Sequence, residues 1–411
     1  MRVLDQISLS RRGFIKGSIV GGAALSMGAK LAMAEQMMTG RKTTIENIRG
    51  SGVRPGLVRM NLNENPLGPS PNAIKAVADH MFEMGRYGSQ SRDLIQAIAD
   101  FDGITLPKPD RNSQQSFFRS APGPILISAS SSQSLGLLTL AYLSREGGEV
   151  IEAEFGYGQI SRSGQFYKEI FGVEVNAIMA PMTPGYKHDL DAMASLITPK
   201  TTMVVITNPN NPTGTLLSYE ELESFVDKVP EDVIVVVDEA YIHFAEHDKL
   251  PSAIPLATSR DNVAVVRTFS KVHAMPAMRL GYCVAGQNIQ REMKKYFTGG
   301  TSMLTNVAGA AAVQDLDHIQ RSRQVVWDFK KRIYEECEKM GWEYLPSQGT
   351  FIMVNLGRES RKIVSEMRNR NVWITSRRRD EFKNWIRISA GTEDETEVFL
   401  DTLKQVMSSA I

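Results

Sequence analysis

The sequence predicts an α/β fold in which a large domain, built on a mainly parallel sheet flanked by helices, is joined to a smaller α+β domain. Three short apolar runs rich in β-branched residues, at 203–207, 233–237 and 263–266, are continuous rather than alternating. Such runs are typical of strands buried on both faces of a parallel sheet. A helical pattern at 218–228 separates the first two runs, so the predicted order is strand, helix, strand. After about residue 298 the character of the chain changes, which predicts the second domain.

The elements outside this sheet follow from the same kind of pattern. A long helical pattern at 318–340 is followed by alternating runs at 351–356 and 385–389, which predicts a helix packed on a half-buried sheet. Nearer the N-terminus, apolar residues recur at helical spacing over 72–84. The polar, proline-rich segment 103–124 predicts an exposed loop. The chain of 411 residues is long enough for two packed domains.

The composition excludes partners that are attracted by net charge. Lys plus Arg number 47 and Asp plus Glu number 46, which gives a formal net charge of +1. No overall field therefore draws nucleic acid or an anionic membrane to the protein. The two cysteines, Cys283 and Cys337, have no metal-ligand spacing and are expected to be buried small hydrophobic residues. Partners must be inferred from local sites.

The N-terminus carries the pattern of an export signal. Arg11 and Arg12 precede a weakly hydrophobic stretch at 17–32, and residues 32–34 give the small-x-small pattern that a signal peptidase accepts. The paired arginines resemble the twin-arginine signal, which implies export of the folded protein to the periplasm by the twin-arginine machinery. We expect the mature chain to begin near Glu35. No later stretch reaches the roughly 20 apolar residues of a spanning helix, so no stable membrane anchor is expected.

Polar segments follow each of the three predicted parallel strands. They read NPNNPTG at 208–214, DEAY at 238–241 and RTFSK at 267–271. In open parallel sheets, ligands bind beyond the carboxyl ends of the strands. We therefore expect these three segments to form one site.

Lys271 and Asp238 are the pair that a pyridoxal-phosphate enzyme requires. A lysine amine at the end of a buried strand can attack an aldehyde. An aspartate on the neighbouring strand can keep a buried ring nitrogen protonated, and the protonated ring is an electron sink. Asn211 and Tyr241 can donate hydrogen bonds to a phenolate oxygen of the same ring. The residues expected to take part in the chemistry are Lys271, Asp238 and Tyr241.

A phosphate group on that ring would need donors from two segments. A Ser-rich run at 128–133 precedes a helical pattern at 134–143, and helix N-termini bind phosphate through backbone N–H groups. An arginine adds a planar, two-pronged contact. The predicted phosphate-binding residues are Ser131, Ser132, Gln133, Thr268, Ser270 and Arg279. Each motif alone is a common turn or cap, but their joint occurrence in this order favours a cofactor site.

These motifs resemble the ordered signature of the class I/II aminotransferases. Within that class the chain is most similar to the histidinol-phosphate aminotransferase family. The resemblance implies the fold type I of pyridoxal-phosphate-dependent transferases, with the cofactor held on Lys271 as a Schiff base. It also implies transfer of an amino group between an amino acid or related amine and a 2-oxo acid. The matching features are 62–71, 208–216, 235–241, Ser270-Lys271 and Arg279, eight residues after the lysine.

The resemblance further implies residues for the substrate and for a second subunit. Tyr157 would stack on the cofactor ring, and Tyr87 would reach the phosphate of the neighbouring subunit, so a homodimer is expected. Arg387 corresponds to the arginine that binds a substrate anion, and Asn65 would line the substrate entrance. The family's substrate-side arginine corresponds to Thr375 in this chain. The arginines available to replace it are Arg377, Arg378 and Arg379.

These observations divide the chain into four parts. Residues 1–34 are the predicted twin-arginine signal peptide, and residues 35–79 form an N-terminal segment that packs with the small domain. Residues 80–298 form the large domain that binds pyridoxal phosphate. Residues 299–411 form the C-terminal small domain.

Other functions remain open at this point. Pyridoxal-phosphate-dependent amino-acid decarboxylases and oxidases share this scaffold, and the motifs do not separate them from transaminases. His243, Glu246 and His247 match the inverted zincin pattern of a zinc peptidase, in which two histidines share one helical face. We favour a chance match and expect no metal site. An exported binding protein descended from an enzyme is a further alternative, but the retention of Lys271 with all its partners argues against it.

Overall fold

The computed structural model describes residues 43–88, 90–107, 123–247, 249–377 and 379–409. The predicted signal at 1–34 and most of the predicted loop at 103–124 lie outside these residues. So does Arg378. Among the described helices, none is both long and apolar enough to cross a membrane.

The strands are short, and most of them lie between residues 125 and 285. In chain order they are β1 (Val58–Arg59), β2 (Ile125–Ser128), β3 (Gly148–Ala153), β4 (Val175–Ala180), β5 (Thr201–Thr207), β6 (Ile234–Asp238), β7 (Val263–Thr268), β8 (Gly281–Ala285), β9 (Glu343–Leu345), β10 (Phe351–Asn355), β11 (Val372–Trp373), β12 (Thr375–Ser376) and β13 (Trp385–Ser389).

The α-helices alternate with the strands of the middle region and dominate the two ends of the chain. They are α1 (Pro71–His80), α2 (Ser91–Asp102), α3 (Ser131–Leu143), α4 (Gln159–Phe171), α5 (Leu190–Ser195), α6 (Tyr219–Val226), α7 (Ile254–Ser259), α8 (Gln287–Lys294), α9 (Met303–Gln314), α10 (Leu316–Met340), α11 (Ser360–Asn369) and α12 (Glu393–Ser408).

Seven strands form the large sheet in the order β2-β8-β7-β6-β5-β3-β4. The run from β7 to β4 is parallel, whereas β8 pairs antiparallel with both β7 and β2. The predicted α/β class with a mainly parallel sheet is therefore confirmed. The three apolar runs of the sequence are β5, β6 and β7, three adjacent strands at its centre.

Both faces of this sheet are covered, which explains why the central runs are continuous rather than alternating. Side chains on one face pack against α2, α6, α7 and α9, and those on the other face pack against α3, α4 and α8. Neighbouring residues of one strand therefore pack in the hydrophobic cores on opposite faces of the sheet, as Val235 and Val236 of β6 do. Because each residue of β6 is buried, polar groups can appear only where the strand ends.

The C-terminal region builds a second core around an antiparallel sheet of order β12-β13-β10-β9. Helices α10, α11 and α12 pack on this sheet. The N-terminal segment joins the same core, because β1 pairs in parallel with β11 and contributes Val58. Helix α9 instead packs on the large sheet through Ala308 and Ala312. The chain thus passes from one core to the other at Asp315, the N-cap of α10.

Candidate active site

The carboxyl ends of β5, β6 and β7 lie side by side, which brings the three polar segments of the sequence together. Thr207 of β5 pairs with Asp238 of β6, and Asp238 in turn pairs with Val266 of β7. The segment 208–214 follows β5, Tyr241 follows β6, and Lys271 follows β7. This edge of the sheet therefore carries the side chains that the sequence predicts to act together.

Lys271 faces the N-terminal segment across the site. Its Nζ donates hydrogen bonds to the carbonyl oxygens of Asn63 (2.9 Å) and Leu62 (3.3 Å), and it lies 5.3 Å from the centre of the Tyr241 ring. The hydroxyl oxygen of Tyr241 accepts hydrogen bonds from Asn63 Nδ2 (2.9 Å) and Asn211 Nδ2 (3.4 Å). Because both amides donate, the Tyr241 proton is available for a ligand.

Sequence reasoning missed Asn63. It is buried, has a positive φ of 54° and is held by Ser389 on the C-terminal sheet, whose Oγ accepts from its backbone N–H at 2.8 Å. Asparagine tolerates such a backbone better than most side chains do. Asparagines occupy alternate positions 61, 63 and 65. The sequence motifs indicate a role in the site only for Asn65.

Asn65 is buried, and its side chain is hydrogen-bonded to three other residues. Its Nδ2 donates to Val272 O (2.9 Å) and to Ser322 Oγ (2.8 Å), and its Oδ1 accepts from Leu67 N (3.1 Å). These bonds fasten the N-terminal segment to the chain just after Lys271 and to α10. The structure therefore brings Asn63, rather than Asn65, to the Tyr241 hydroxyl.

Asp238 is a buried carboxyl group at the floor of the site. Its side chain accepts one hydrogen bond, from the backbone N–H of Ala240 at 3.1 Å. Among the described residues, Asp238 takes part in no ion pair. Burial raises its pKa to about 7; Glu239 and Glu152 act in the same direction, while the Ala240 N–H and Lys271 oppose them. A cationic group placed beside this carboxyl would ionise it, as a protonated pyridine nitrogen would.

Three of the predicted phosphate ligands, Ser131, Ser132 and Gln133, lie in the first turn of α3. The helix begins at Ser131, three residues before its apolar pattern, because Ser130 caps it by accepting a hydrogen bond from Gln133 N (3.3 Å). A Cβ on Gly281 of β8 would lie 2.4 Å from Ser131 N, so only glycine fits this close approach. The Gln133 side chain is engaged elsewhere, since its Oε1 accepts from Ala129 N at 2.6 Å.

The other phosphate ligands follow β7. The Thr268 hydroxyl donates to Ser270 Oγ at 3.0 Å and accepts from Ser270 N at 3.1 Å, so the two side chains are held together. Arg279 is exposed, has a positive φ of 53° and donates to Pro276 O at 2.7 Å. Two hydroxyls, a helix N-terminus and a guanidinium are a suitable donor set for a phosphate group.

Two tyrosines complete the set predicted for the cofactor. Tyr157 is partly exposed and interacts with Ser132, in the first turn of α3, and burial raises its pKa. Arg162 lies over the Tyr157 ring at 5.7 Å and donates to its carbonyl oxygen at 2.7 Å. Tyr87 is fully exposed.

Arg387 reaches the site from β13 of the small sheet. Its NH1 donates to Asn211 Oδ1 at 2.9 Å and its NH2 to Asn61 O at 3.3 Å, whereas its buried Nε has no hydrogen-bond partner among the described residues. Thr375 lies opposite Arg387 on β12, and its hydroxyl also donates to Asn61 O, at 3.0 Å. The arginine is therefore linked through Asn211 to Tyr241.

A buried ion-pair network behind the site was not predicted from the sequence. Arg267 of β7 donates through Nε and NH2 to Glu239 Oε2 (2.9 and 2.8 Å) and through NH1 to Asp102. Tyr282 donates to the second oxygen of Asp102 at 2.7 Å. Because Glu239 and Arg267 directly adjoin Asp238 and Thr268 in the chain, these bonds fix the ends of β6 and β7 from the far side.

The zinc-peptidase alternative fails on geometry. The segment of His243 is a 3₁₀ helix, Ile242–Phe244, that ends before Glu246, so His243 and His247 do not share the helical face that the zincin pattern requires. His243 is buried 3.4 Å from Arg267 NH1, while His247 is exposed and Glu246 pairs with Lys330. Within the described part of the chain, no group of three or more metal-binding side chains occurs.

Comparison with known proteins agrees with this geometry. The family model "Aminotransferase class I and II" matches residues 55–403. Histidinol-phosphate aminotransferase 2 of Hydrogenovibrio crunogenus is 33% identical over 351 residues, which cover 85% of this chain and 88% of that protein. Histidinol-phosphate aminotransferase of Akkermansia muciniphila is 33% identical over 369 residues, covering 88% and 93%.

The fold is also shared with a solved structure. Histidinol-phosphate aminotransferase from Sinorhizobium meliloti, crystallised in complex with pyridoxal-5'-phosphate, superposes with a TM-score of 0.74. The match covers 86% of this chain and 91% of that one, at 24% identity. The chain therefore belongs to the class I and II aminotransferases, and it is a pyridoxal-phosphate-dependent transaminase.

Proposed function

We propose that the protein moves an amino group from an amino acid or related amine to a 2-oxo acid, with Lys271 as the residue that acts on the substrate carbon. The observation that carries this assignment of roles is the buried Asp238 carboxyl, which lacks an ion-pair partner in the described structure and lies near the Lys271 amine. Such a carboxyl is costly unless a cation is placed beside it. The ring nitrogen of bound pyridoxal phosphate would supply that cation.

Each residue then has a distinct task. When bound, the cofactor supplies an aldehyde for the amine and a ring that accepts electrons from the substrate carbon. The Lys271 amine would anchor the cofactor and would hold and move the proton of the substrate carbon. Asp238 would keep the ring nitrogen protonated, and Tyr241, with Asn211 beside it, would donate its free proton to the ring oxygen.

Different residues would hold the phosphate and the substrate. Ser131, Ser132, Thr268, Ser270 and Arg279 supply the donors for the phosphate, with Tyr157 against the ring. The unpartnered Nε of Arg387 points to a carboxylate of the substrate as its missing partner, because an unsatisfied guanidinium N–H is costly when buried.

The test is a pair of half-reactions followed by absorbance. The purified protein is loaded with pyridoxal phosphate and mixed with glutamate, alanine or histidinol phosphate, first without and then with a 2-oxo acid. We expect the visible cofactor band to shift on adding the amine and to return on adding the oxo acid. Oxygen uptake without an acceptor, or release of carbon dioxide, would instead assign an oxidase or a decarboxylase.

We also propose that the active form is a homodimer. The support is a row of exposed apolar side chains on α1 and the 3₁₀ helix that follows it: Ile74, Phe82 and Met84, with Tyr87 just beyond. Large exposed apolar side chains favour an interface, and the family resemblance implies that Tyr87 reaches the phosphate of the neighbouring subunit. Sedimentation of the loaded protein should give twice the chain mass, and a monomer would contradict the proposal.

Export by the twin-arginine route is the proposal for the N-terminal segment. Its support is the Arg11-Arg12 pair ahead of a weakly hydrophobic stretch, together with a folded domain that needs a cofactor before export. Replacing both arginines by lysine should retain the protein in the cytoplasm while leaving its folding unchanged, which cell fractionation would show. Equal export of the variant and the parent chain would contradict the assignment.

A further inference from the structure

The side-chain amide of Asn63 is held in one orientation by the small sheet. The Oγ of Ser389, on β13, accepts from the backbone N–H of Asn63 at 2.8 Å and lies 3.0 Å from the Oδ1 of the same residue. Because this hydroxyl accepts from the N–H, its own proton is free for Oδ1. An amide whose oxygen is engaged in this way presents its Nδ2 on the other side. Both residues are buried, so bulk water does not compete for these bonds.

The backbone around Asn63 is fixed by the same strand. Ser389 N donates to Met60 O at 2.9 Å, which holds the N-terminal segment against β13. Asn63 also faces the reactive amine, because its carbonyl oxygen accepts from Lys271 Nζ at 2.9 Å. The residue therefore contacts both Lys271 and Tyr241, although it belongs to no strand of the large sheet.

The fixed amide determines which hydrogen bonds the Tyr241 hydroxyl can make. This oxygen accepts from Asn63 Nδ2 at 2.9 Å and from Asn211 Nδ2 at 3.4 Å. The Asn211 amide is fixed as well, since its Oδ1 accepts from Arg387 NH1 at 2.9 Å. A hydroxyl oxygen has two acceptor lone pairs and one proton. With both lone pairs engaged, the Tyr241 proton points away from the two amides.

A proton directed in this way suits an acceptor oxygen on a bound ring. We propose that Asn63 and Ser389 are positioning residues, which direct the Tyr241 proton toward the ring oxygen of pyridoxal phosphate. The inference rests on the proposed function and adds to it two residues from outside the large sheet. A donor at the ring oxygen stabilises negative charge there. It also makes the nitrogen of the neighbouring C=N bond to Lys271 less basic, because that nitrogen's proton is held by the same negative charge.

Asn63→Asp reverses the hydrogen bond without changing the size of the side chain. The carboxylate has no proton to donate and accepts the Tyr241 proton instead, so the ring oxygen loses its donor. The pH midpoint of the visible cofactor band should then rise by roughly one pH unit, the effect of one hydrogen bond to a charged oxygen. Absorbance of the loaded enzyme at rest measures this midpoint without turnover.

The negative charge that this substitution introduces also favours protonation, and a second background separates the two effects. Tyr241→Phe has no hydroxyl proton to redirect. In that background, adding Asn63→Asp should therefore move the midpoint clearly less than it does in the parent chain. An equal shift in both backgrounds would mean that the charge acts alone, and it would overturn the inference.

Ser389→Ala tests the same inference without adding a charge. It removes the hydroxyl that fixes the amide, so Asn63 can turn its oxygen toward Tyr241 in a fraction of the molecules. The midpoint should rise, but less than in Asn63→Asp. Ser389→Thr keeps a hydroxyl and should return the midpoint to that of the parent. Asn176→Asp, on an exposed residue of β4, should leave it unchanged.

The outcomes separate this inference from the proposed function. If no amine shifts the visible band, the proposed transamination fails, whereas the midpoints still decide the roles of Asn63 and Ser389, because they require only bound cofactor. A parent-like midpoint in Ser389→Ala would overturn the role of Ser389. A Ser389→Thr midpoint equal to that of Ser389→Ala would do the same, since a hydroxyl would then have no effect.

Discussion

Lys271→Ala is expected to lower the rate of transamination by at least roughly 10³-fold, because it removes both the covalent anchor of the cofactor and the base that moves the proton. The Lys271 amine is the only one within the described structure that contacts Asn63 and lies over the Tyr241 ring, so no neighbouring group can take its place. The variant should still fold and bind the cofactor, since the phosphate donors are unchanged. Single-turnover absorbance with glutamate measures the rate.

Two further variants test whether Lys271 acts as a nucleophile or only through its positive charge. Lys271→Arg retains the positive charge but cannot attack an aldehyde, and we expect it to be as inactive as Lys271→Ala. Lys339→Ala removes an exposed lysine near the end of α10 and should leave turnover unchanged. Borohydride treatment followed by mass spectrometry should place the cofactor on Lys271 in the parent chain. A label on another lysine, or near-normal turnover of either Lys271 variant, would remove Lys271 from its proposed role.

The large sheet could be predicted because each of its central strands shows a pattern of apolar and polar residues within a short stretch of sequence. The residues of β5, β6 and β7 are buried on both faces, so each strand is a continuous apolar run bounded by the polar residues that form the site. A change of polarity at a strand end is visible in the sequence without knowing the strand order. This is why Lys271, Asp238, Asn211 and Tyr241 could be placed together before the structure was known.

Contacts that depend on distant pairing could not be found in the same way. Asn63 reaches Tyr241 only because β1 pairs with β11, and each of these strands has two residues, too few to show a periodic pattern. The network of Arg267, Glu239 and Asp102 joins segments that are far apart in the chain. Nothing in the sequence distinguishes those three residues from other charged residues. The nearness of Arg377 to Arg387 likewise follows from the register between β12 and β13, which the sequence does not show.

Asp238→Asn is expected to change activity and stability in opposite directions. With the cofactor bound, the amide cannot hold the ring nitrogen protonated, so turnover should fall by roughly 10²- to 10³-fold, the size of effect seen when one stabilising electrostatic group is lost. Without the cofactor, the same substitution should raise the melting temperature. The buried carboxyl of the parent chain has no cation paired with it in the described structure, and it is costly to ionise.

The sign of the pH dependence follows from the pKa of Asp238. Folding raises this pKa from 3.8 to about 7, so between these values the unfolded chain binds fewer protons than the folded chain, and the free energy of unfolding falls as pH rises. The loss reaches at most roughly 4 kcal/mol near pH 7 and stays constant above it. The amide that replaces the carboxyl cannot titrate, so the melting temperature of cofactor-free Asp238→Asn should exceed that of the parent by a margin that grows from pH 5 to pH 7.

Scanning calorimetry of the parent and Asp238→Asn from pH 5 to pH 7, with and without pyridoxal phosphate, measures the difference in melting temperature. Asp191→Asn is the matched control, because that aspartate is exposed and paired with Lys228, which lowers its pKa instead. Adding the cofactor should reverse the order, since its ring nitrogen supplies the missing cation only to the parent chain. Two outcomes would show that Asp238 is not the carboxyl that faces the ring nitrogen. One is a difference in melting temperature that does not depend on pH, and the other is an order of the two melting temperatures that the cofactor leaves unchanged.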